Sequence, residues 1–142
     1  MSNPEKWRGF APLPDDIQQA LTNLPPRLAE AGVDLAYLFG SMVTGAGQDV
    51  DIALLMADDA PAYPLREQVV AWLGTKRVDV VDLRLASPVL KFEVISNGRL
   101  LHTRTDDTQI NFELATLREY QDTNYLRQTQ EHLLRERLTT WS

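Results

Sequence analysis

Residues 50–56 read VDIALLM, an apolar run interrupted only by Asp51, and the tripeptide Asp49-Val50-Asp51 opens it. The purely apolar part, Ile52 to Ala57, spans six residues, far short of the ~20 needed to cross a bilayer. The run reads as a buried β-strand. Side chains alternate faces along a strand, so Asp49 and Asp51 point to one side while Val50 and Ile52 point to the other. A carboxylate inside such a strand needs a reason, because burying one without a partner or a metal costs on the order of several kcal/mol.

The rest of the chain supplies a frame for that strand. Pro12 and Pro14 punctuate an irregular N-terminal arm, and Asp15 to Leu24 has helical spacing through Ile17, Leu21 and Leu24. Pro25 and Pro26 are expected to break this helix, with a short helical turn through Leu28 and Ala29 ending near Gly32. Leu35 to Phe39 reads as a strand stopped by Gly40, and the small residues of 40–48 (GSMVTGAGQ) as a turn or loop. After the strand at 50–56 come a helix over about 65–73 with Gly74 as its stop, and a third strand over 77–83 (RVDVVDL). Ser87-Pro88 has helix-start chemistry and Gly98 suits the end of that helix. A fourth strand is expected over 99–104, and a helix from about 107 to 138. The first two strands are too close in sequence for a crossover helix, so they pair antiparallel. This predicts an α/β (α+β) fold, a mixed sheet flanked by helices, in a single domain over 1–142.

Composition fits that frame. The 142 residues are 44% hydrophobic and 24% charged, without cysteine. The missing cysteine excludes a disulfide scaffold, a Cys-based zinc site and a catalytic thiol. The net charge of −6 gives no broad basic footprint for phosphates, so stable nucleic-acid binding is not expected. The N-terminus lacks the apolar core of a signal peptide and no segment suits a membrane, so the expected location is cytoplasmic.

Three features then converge. Gly40-Ser41 ends the first strand, Asp49 and Asp51 open the second, and Asp79 lies on the third. Carboxylates side by side suit hard cations such as Mg²⁺, which are commonly shared with substrate phosphates. A third carboxylate from a neighbouring strand completes a two-metal site, able to stabilise both the attacking and the leaving oxygen of a phosphoryl displacement. Glycine lets a phosphate approach the backbone, and a serine hydroxyl can donate to it. Alternation lets only one of Asp79 and Asp82 face such a site. A Gly-Ser pair alone is an ordinary turn; the ordered trio carries the signal.

The segment LFGSMVTGAGQDVDIALLM resembles the Gly-Ser…Asp-x-Asp signature of the DNA-polymerase-β-like nucleotidyltransferase superfamily, and RVDVVDL resembles the strand bearing its third carboxylate. Chain length and the segment KFEVISNGRLLHTR are similar to the minimal nucleotidyltransferase (MNT) branch, notably the MntA-type antitoxins of HEPN/MNT toxin–antitoxin systems. The likeness covers about 33–104, and more weakly the C-terminal helix over about 107–138. It implies a polymerase-β-like fold, with Asp49, Asp51 and Asp79 as catalytic carboxylates and ligands of two Mg²⁺ ions. It assigns Gly40 and Ser41 to the phosphates of ATP. The implied activity is transfer of AMP from ATP to a tyrosine of a cognate HEPN-domain RNase toxin. Two departures stand out: Met42 where many members carry a basic residue, and a loop of only seven residues between Ser41 and Asp49.

Two other functions fit the same chain: an antitoxin that neutralises its toxin by binding alone, and a nucleotidyltransferase with a small-molecule acceptor. Other motifs are set aside. GSMVTGAG has Ala46 and Gly47 where a P-loop needs Lys and Ser/Thr. His102 and His132 lie too far apart for a local metal pair, and Lys91 and Arg99 read as surface charge. Arg127 and His132 match the loose Arg-x4-His motif of HEPN nucleases by coincidence. The stripe over 119–138 fits either a partner or the domain's own core.

Overall fold

A computed structural model describes residues 10–45 and 47–141. The first nine residues of the arm, Ala46 and Ser142 lie outside the described residues, as do the side chains of Tyr125, Thr140 and Trp141. The apolar spacing of the N-terminal region produces two short helices, α1 (Ile17–Thr22) and α2 (Leu24–Glu30), which bury Ile17, Leu21, Leu24 and Leu28. The expected break at Pro25-Pro26 falls instead at Asn23, and the prolines sit in the first turn of α2. Their missing N–H groups are of no consequence there, because first-turn amides have no intrahelical acceptor.

Four strands follow: β1 (Val33–Phe39), β2 (Val50–Met56), β3 (Val78–Asp82) and β4 (Arg99–Thr103). They form one mixed sheet in the order β3-β2-β1-β4. β1 pairs antiparallel with β2 and with β4, and β2 pairs parallel with β3. The parallel pair requires a crossover, supplied by α3 (Arg66–Leu73), which ends at Gly74. Between β3 and β4 lies α4 (Pro88–Asn97), whose N-cap Ser87 accepts a hydrogen bond from the Leu90 amide. Residues 40–44, expected as loop, wind into a 3₁₀ turn between β1 and β2.

Alternation along the strands sorts two apolar layers. Ala36, Leu38, Val50, Ile52, Leu54, Val78 and Val80 face α1, α2 and α3 in the larger core. Leu35, Tyr37, Ala53 and Val81 face the other way and pack with Val94 of α4 and with Phe112. Phe112 belongs to α5 (Asp106–Trp141), which the sheet holds by its first half only. Tyr37 Oη donates to Glu113 at 2.8 Å, Lys91 pairs with Glu119 at 3.2 Å, and Phe92 stacks on Tyr120 at 3.9 Å. Burial, reinforced by the hydrogen bond and charge of Glu113, holds the Tyr37 phenol well above its usual range. Beyond Thr123 every described side chain of α5 is exposed, including Leu126, Leu133, Leu134 and Leu138. These leucines do not close the domain's own core, one of the two roles expected for the stripe.

The far end of β3 depends on Asp82. Its carboxylate is buried and accepts from the Ala62 amide at 3.2 Å and the Arg84 amide at 3.0 Å. The side chain thus ties the turn before α3 to the end of β3. Leaving a buried donor without its acceptor costs about 1–3 kcal/mol. Asp82→Ala is therefore expected to lower unfolding free energy by about 2 kcal/mol, read as a fall in the urea midpoint at unchanged slope.

Candidate active site

Strand alternation and register assemble the site. Asp51 lies opposite Phe39 on the antiparallel side of β2 and opposite Asp79 on its parallel side. Asp49, two residues earlier, presents its carboxylate on the same face. One carboxylate oxygen from each of Asp49, Asp51 and Asp79 lies within 4.8 Å of the other two. Asp49 and Asp51 are only 2% and 6% exposed, and Asp79 is half-buried. Like charges gathered this closely favour a cation among them. This is a hard-oxygen donor set of the kind that divalent cations take. Asp82 turns to the opposite face, as strand alternation requires, and has no part in the group.

The turn at 40–44 builds one wall. Gly40 has φ +75°, and a Cβ there would run into the Asp51 carboxylate. Only glycine satisfies both the left-handed backbone and the close approach. Ser41 Oγ is buried without a hydrogen-bond partner among the described residues. A buried hydroxyl in that condition is a group waiting for a ligand oxygen or water. Gly47 closes over it: a Cβ on Gly47 would meet both Ser41 Oγ and the Met42 amide nitrogen. Met42 itself turns away into the core, 1% exposed, with Gln18 Nε2 donating to its sulfur at 3.8 Å.

The sequence trio of Gly40-Ser41, Asp49/Asp51 and Asp79 therefore meets at one place. The residues set aside as decoys stay away from it. His102 Nε2 bonds the Val33 carbonyl at 2.9 Å, His132 pairs with Glu136 at 3.1 Å, and Arg127 lies over the Tyr120 ring. Lys91 is engaged by Glu119, and Arg99 is exposed at the start of β4. Two residues the sequence did not single out do contribute. Gly47 was legible only as a non-P-loop residue, since its packing on Ser41 depends on how the turn folds back. Arg77 donates from Nη1 to the carbonyl of Gln48 at 3.1 Å, beside Asp49.

This geometry has a family. The description "Polymerase beta, Nucleotidyltransferase" matches residues 23–107, from the start of α2 to the start of α5. The chain belongs to the polymerase-β nucleotidyltransferase family. Within it, the chain is 36% identical over 95 residues to the protein adenylyltransferase MntA of Shewanella oneidensis, covering 63% of this chain and 67% of that one. Among solved structures, it is similar to a chain of the tri-AMPylated Shewanella oneidensis HEPN toxin in complex with MNT antitoxin. That match has 30% identity and a TM-score of 0.64, over 83% of this chain and 98% of the other. A toxin–antitoxin crystal structure with AMP-PNP matches at 31% identity and a TM-score of 0.60, over 84% and 96%. The nucleotidyltransferase fold expected from the sequence is therefore the fold observed.

Gly40 gives the sharpest test of the wall. Gly40→Ala is expected to lose activity about a hundredfold, because moving Asp51 by an ångström misplaces the reacting groups. Gly74 is the matched control: its φ is +72° but a Cβ there meets nothing within 4 Å. Gly74→Ala should cost about 1–2 kcal/mol of stability and leave turnover intact, measured by denaturation and single-turnover kinetics on the same samples.

Proposed function

We propose that the protein is a protein adenylyltransferase antitoxin, transferring AMP from ATP to a tyrosine of a cognate HEPN-domain toxin. We place it in the cytoplasm, as one minimal nucleotidyltransferase domain over 1–142. The observation that carries the reading is the carboxylate group of Asp49, Asp51 and Asp79, gathered within 4.8 Å beside Gly40 and Ser41. The likeness to MntA and to an antitoxin bound to its AMPylated toxin supports the choice of acceptor.

The residues fit divalent cations, and Mg²⁺ is the natural choice for oxygen ligands shared with phosphates. Asp49, Asp51 and Asp79 would hold two Mg²⁺ ions. When bound, the ions supply charge neutralisation at the attacking and leaving oxygens. The chain's own groups do the rest. The 3₁₀ turn brings Gly40 close enough for phosphate oxygens to approach the backbone, and the Ser41 hydroxyl donates to one of them. Asp79, the most exposed of the three carboxylates, takes the proton of the attacking tyrosine hydroxyl. The new bond joins that oxygen to the α-phosphorus, the bond from the α-phosphorus to its bridging oxygen breaks, and pyrophosphate leaves. Most of the rate arises from positioning and charge complementarity.

The decisive experiment mixes the protein with its HEPN partner, Mg²⁺ and ATP and weighs the intact partner by mass spectrometry. The expected result is a gain of one or more AMP units, absent with the Asp49→Asn/Asp51→Asn double variant. A stable complex with no mass gain would leave neutralisation by binding alone; turnover on a small molecule without the partner would move the acceptor.

The cation also has a thermodynamic signature. Mg²⁺ at about a hundred times its Kd should stabilise the wild type by about 2.7 kcal/mol and the double variant not at all. In chelator that gain should vanish from the wild type. Differential scanning calorimetry in both buffers reads the two effects.

A further inference from the structure

Asp49 immediately precedes β2, and the backbone on each side of it is held by a single residue. The Val50 amide donates to the carbonyl oxygen of Arg77 at 2.8 Å. The Arg77 side chain returns to the same place, with Nη1 donating to the carbonyl of Gln48 at 3.1 Å. The peptide groups before and after Asp49 are thus both fixed on Arg77. The rest of the guanidinium grips the N-terminal arm: Nε donates to the Ala11 carbonyl at 2.8 Å and Nη2 to the Phe10 carbonyl at 3.1 Å. Arg77 is in turn oriented by Thr75, whose buried hydroxyl accepts from the Arg77 amide at 3.1 Å. The arrangement crosses 29 residues to the site loop and 66 to the arm.

The partners are all carbonyls, and that is chemically informative. A guanidinium aimed at the Asp49 carboxylate would compete with a cation for it. Here three bonds from the fork go to neutral backbone oxygens, so the guanidinium holds the peptide before Asp49 without engaging its carboxylate. The Gln48 and Val50 contacts restrict the backbone torsions that aim the Asp49 side chain. Groups that orient a metal ligand without touching the metal typically change metal affinity 10–100-fold when removed.

Resting on the nucleotidyl-transfer reading above, we propose that Arg77 is the positioning residue for Asp49: its guanidinium sets the aim of that carboxylate into the metal site by clamping the Gln48 peptide before it, against the Val50 amide that the Arg77 main-chain carbonyl already holds. Its effect therefore appears in cation affinity, before any chemistry.

The test measures Mn²⁺ binding by electron paramagnetic resonance without nucleotide, alongside melting temperature and AMP transfer, for full-length variants. Arg77→Ala is expected to raise the Mn²⁺ midpoint about 10–100-fold and to lower kcat with a smaller change in KM for ATP. Arg77→Lys, whose ammonium reaches one carbonyl rather than three, should fall between it and the wild type, and serves if the alanine variant does not fold. Arg84→Ala is the structural control: it removes a guanidinium-to-carbonyl contact of the same kind, Arg84 Nη1 to the Asp59 carbonyl, at the other end of β3. It should lower the melting temperature without moving the Mn²⁺ midpoint. The proposal is overturned if Arg77→Ala binds Mn²⁺ within about twofold of wild type, or if Arg84→Ala reproduces its loss of affinity. A wild type that binds Mn²⁺ but transfers no AMP would count against the nucleotidyl-transfer reading and leave the Arg77–Asp49 comparison intact. A wild type that binds no Mn²⁺ overturns both.

Discussion

Everything at the site depends on the parallel pairing of β2 with β3. In that register Asp51 stands directly opposite Asp79, and a slip by one residue would turn Asp79 to the α3 side. The register is held from both ends. At the start, the Val50 amide bonds to the Arg77 carbonyl; at the end, the Leu83 amide bonds to the Leu54 carbonyl. The apolar pattern enforces the same choice, since Val78 and Val80 share the larger core with Val50, Ile52 and Leu54. The sheet cannot bury that face without also gathering the carboxylates on the other.

Under the proposed reaction the gathered carboxylates face a substrate of the same sign. A nucleoside triphosphate is polyanionic, the chain carries a net charge of −6, and Met42 occupies the position after Ser41 with its side chain buried in the core. No cation from the turn therefore offsets the three aspartates. Under the proposed reaction, neutralisation falls to the divalent ions, and the Ser41 hydroxyl and the glycine-rich turn provide direction. The sparse equipment of the turn is thus consistent with the density of carboxylate opposite it.

Much of this was legible in the sequence because it is written at short range. The spacing of Asp49 and Asp51 fixes their common face through strand alternation alone, and VDIALLM has no reading other than a buried strand. The choice of Asp79 over Asp82 came in two parts: alternation showed that only one could serve, and the family resemblance of RVDVVDL pointed to Asp79, which the register sets opposite Asp51. Contacts between distant segments left no trace. That Gly47 must be glycine follows from the fold of the turn onto Ser41, and nothing in GAGQ distinguishes it from an ordinary loop glycine. Arg77 adjoins a recognisable strand, yet its partners at Phe10, Ala11 and Gln48 are carbonyls, which every residue carries. The misplaced break at Pro25-Pro26 has a local cause. Proline both ends helices and begins them, and only the burial of Leu24 and Leu28 decides for the second.

The arginines of this region each donate to main-chain carbonyls, and where Arg66 and Arg84 also meet a carboxylate it is Glu67 or Asp82, outside the triad. β3 is a five-residue strand at the edge of the sheet, where unpaired carbonyls would otherwise face solvent or another chain. Arg66 covers one of them and one just before the strand, with Nε donating to the Val78 carbonyl and Nη2 to the Lys76 carbonyl, each at 3.0 Å. Arg77 holds the carbonyls of Phe10, Ala11 and Gln48, and Arg84 holds that of Asp59 at 2.6 Å. Backbone oxygens carry only partial charge, so these bonds spend the directional capacity of each guanidinium without cancelling a carboxylate in the triad. Had any of the three been turned to Asp49, Asp51 or Asp79, it would have formed a buried ion pair and removed a cation ligand. Using arginine on the main chain secures the short edge strand while leaving these three guanidiniums off the triad, so that one set of side chains serves the fold without occupying the proposed cation site.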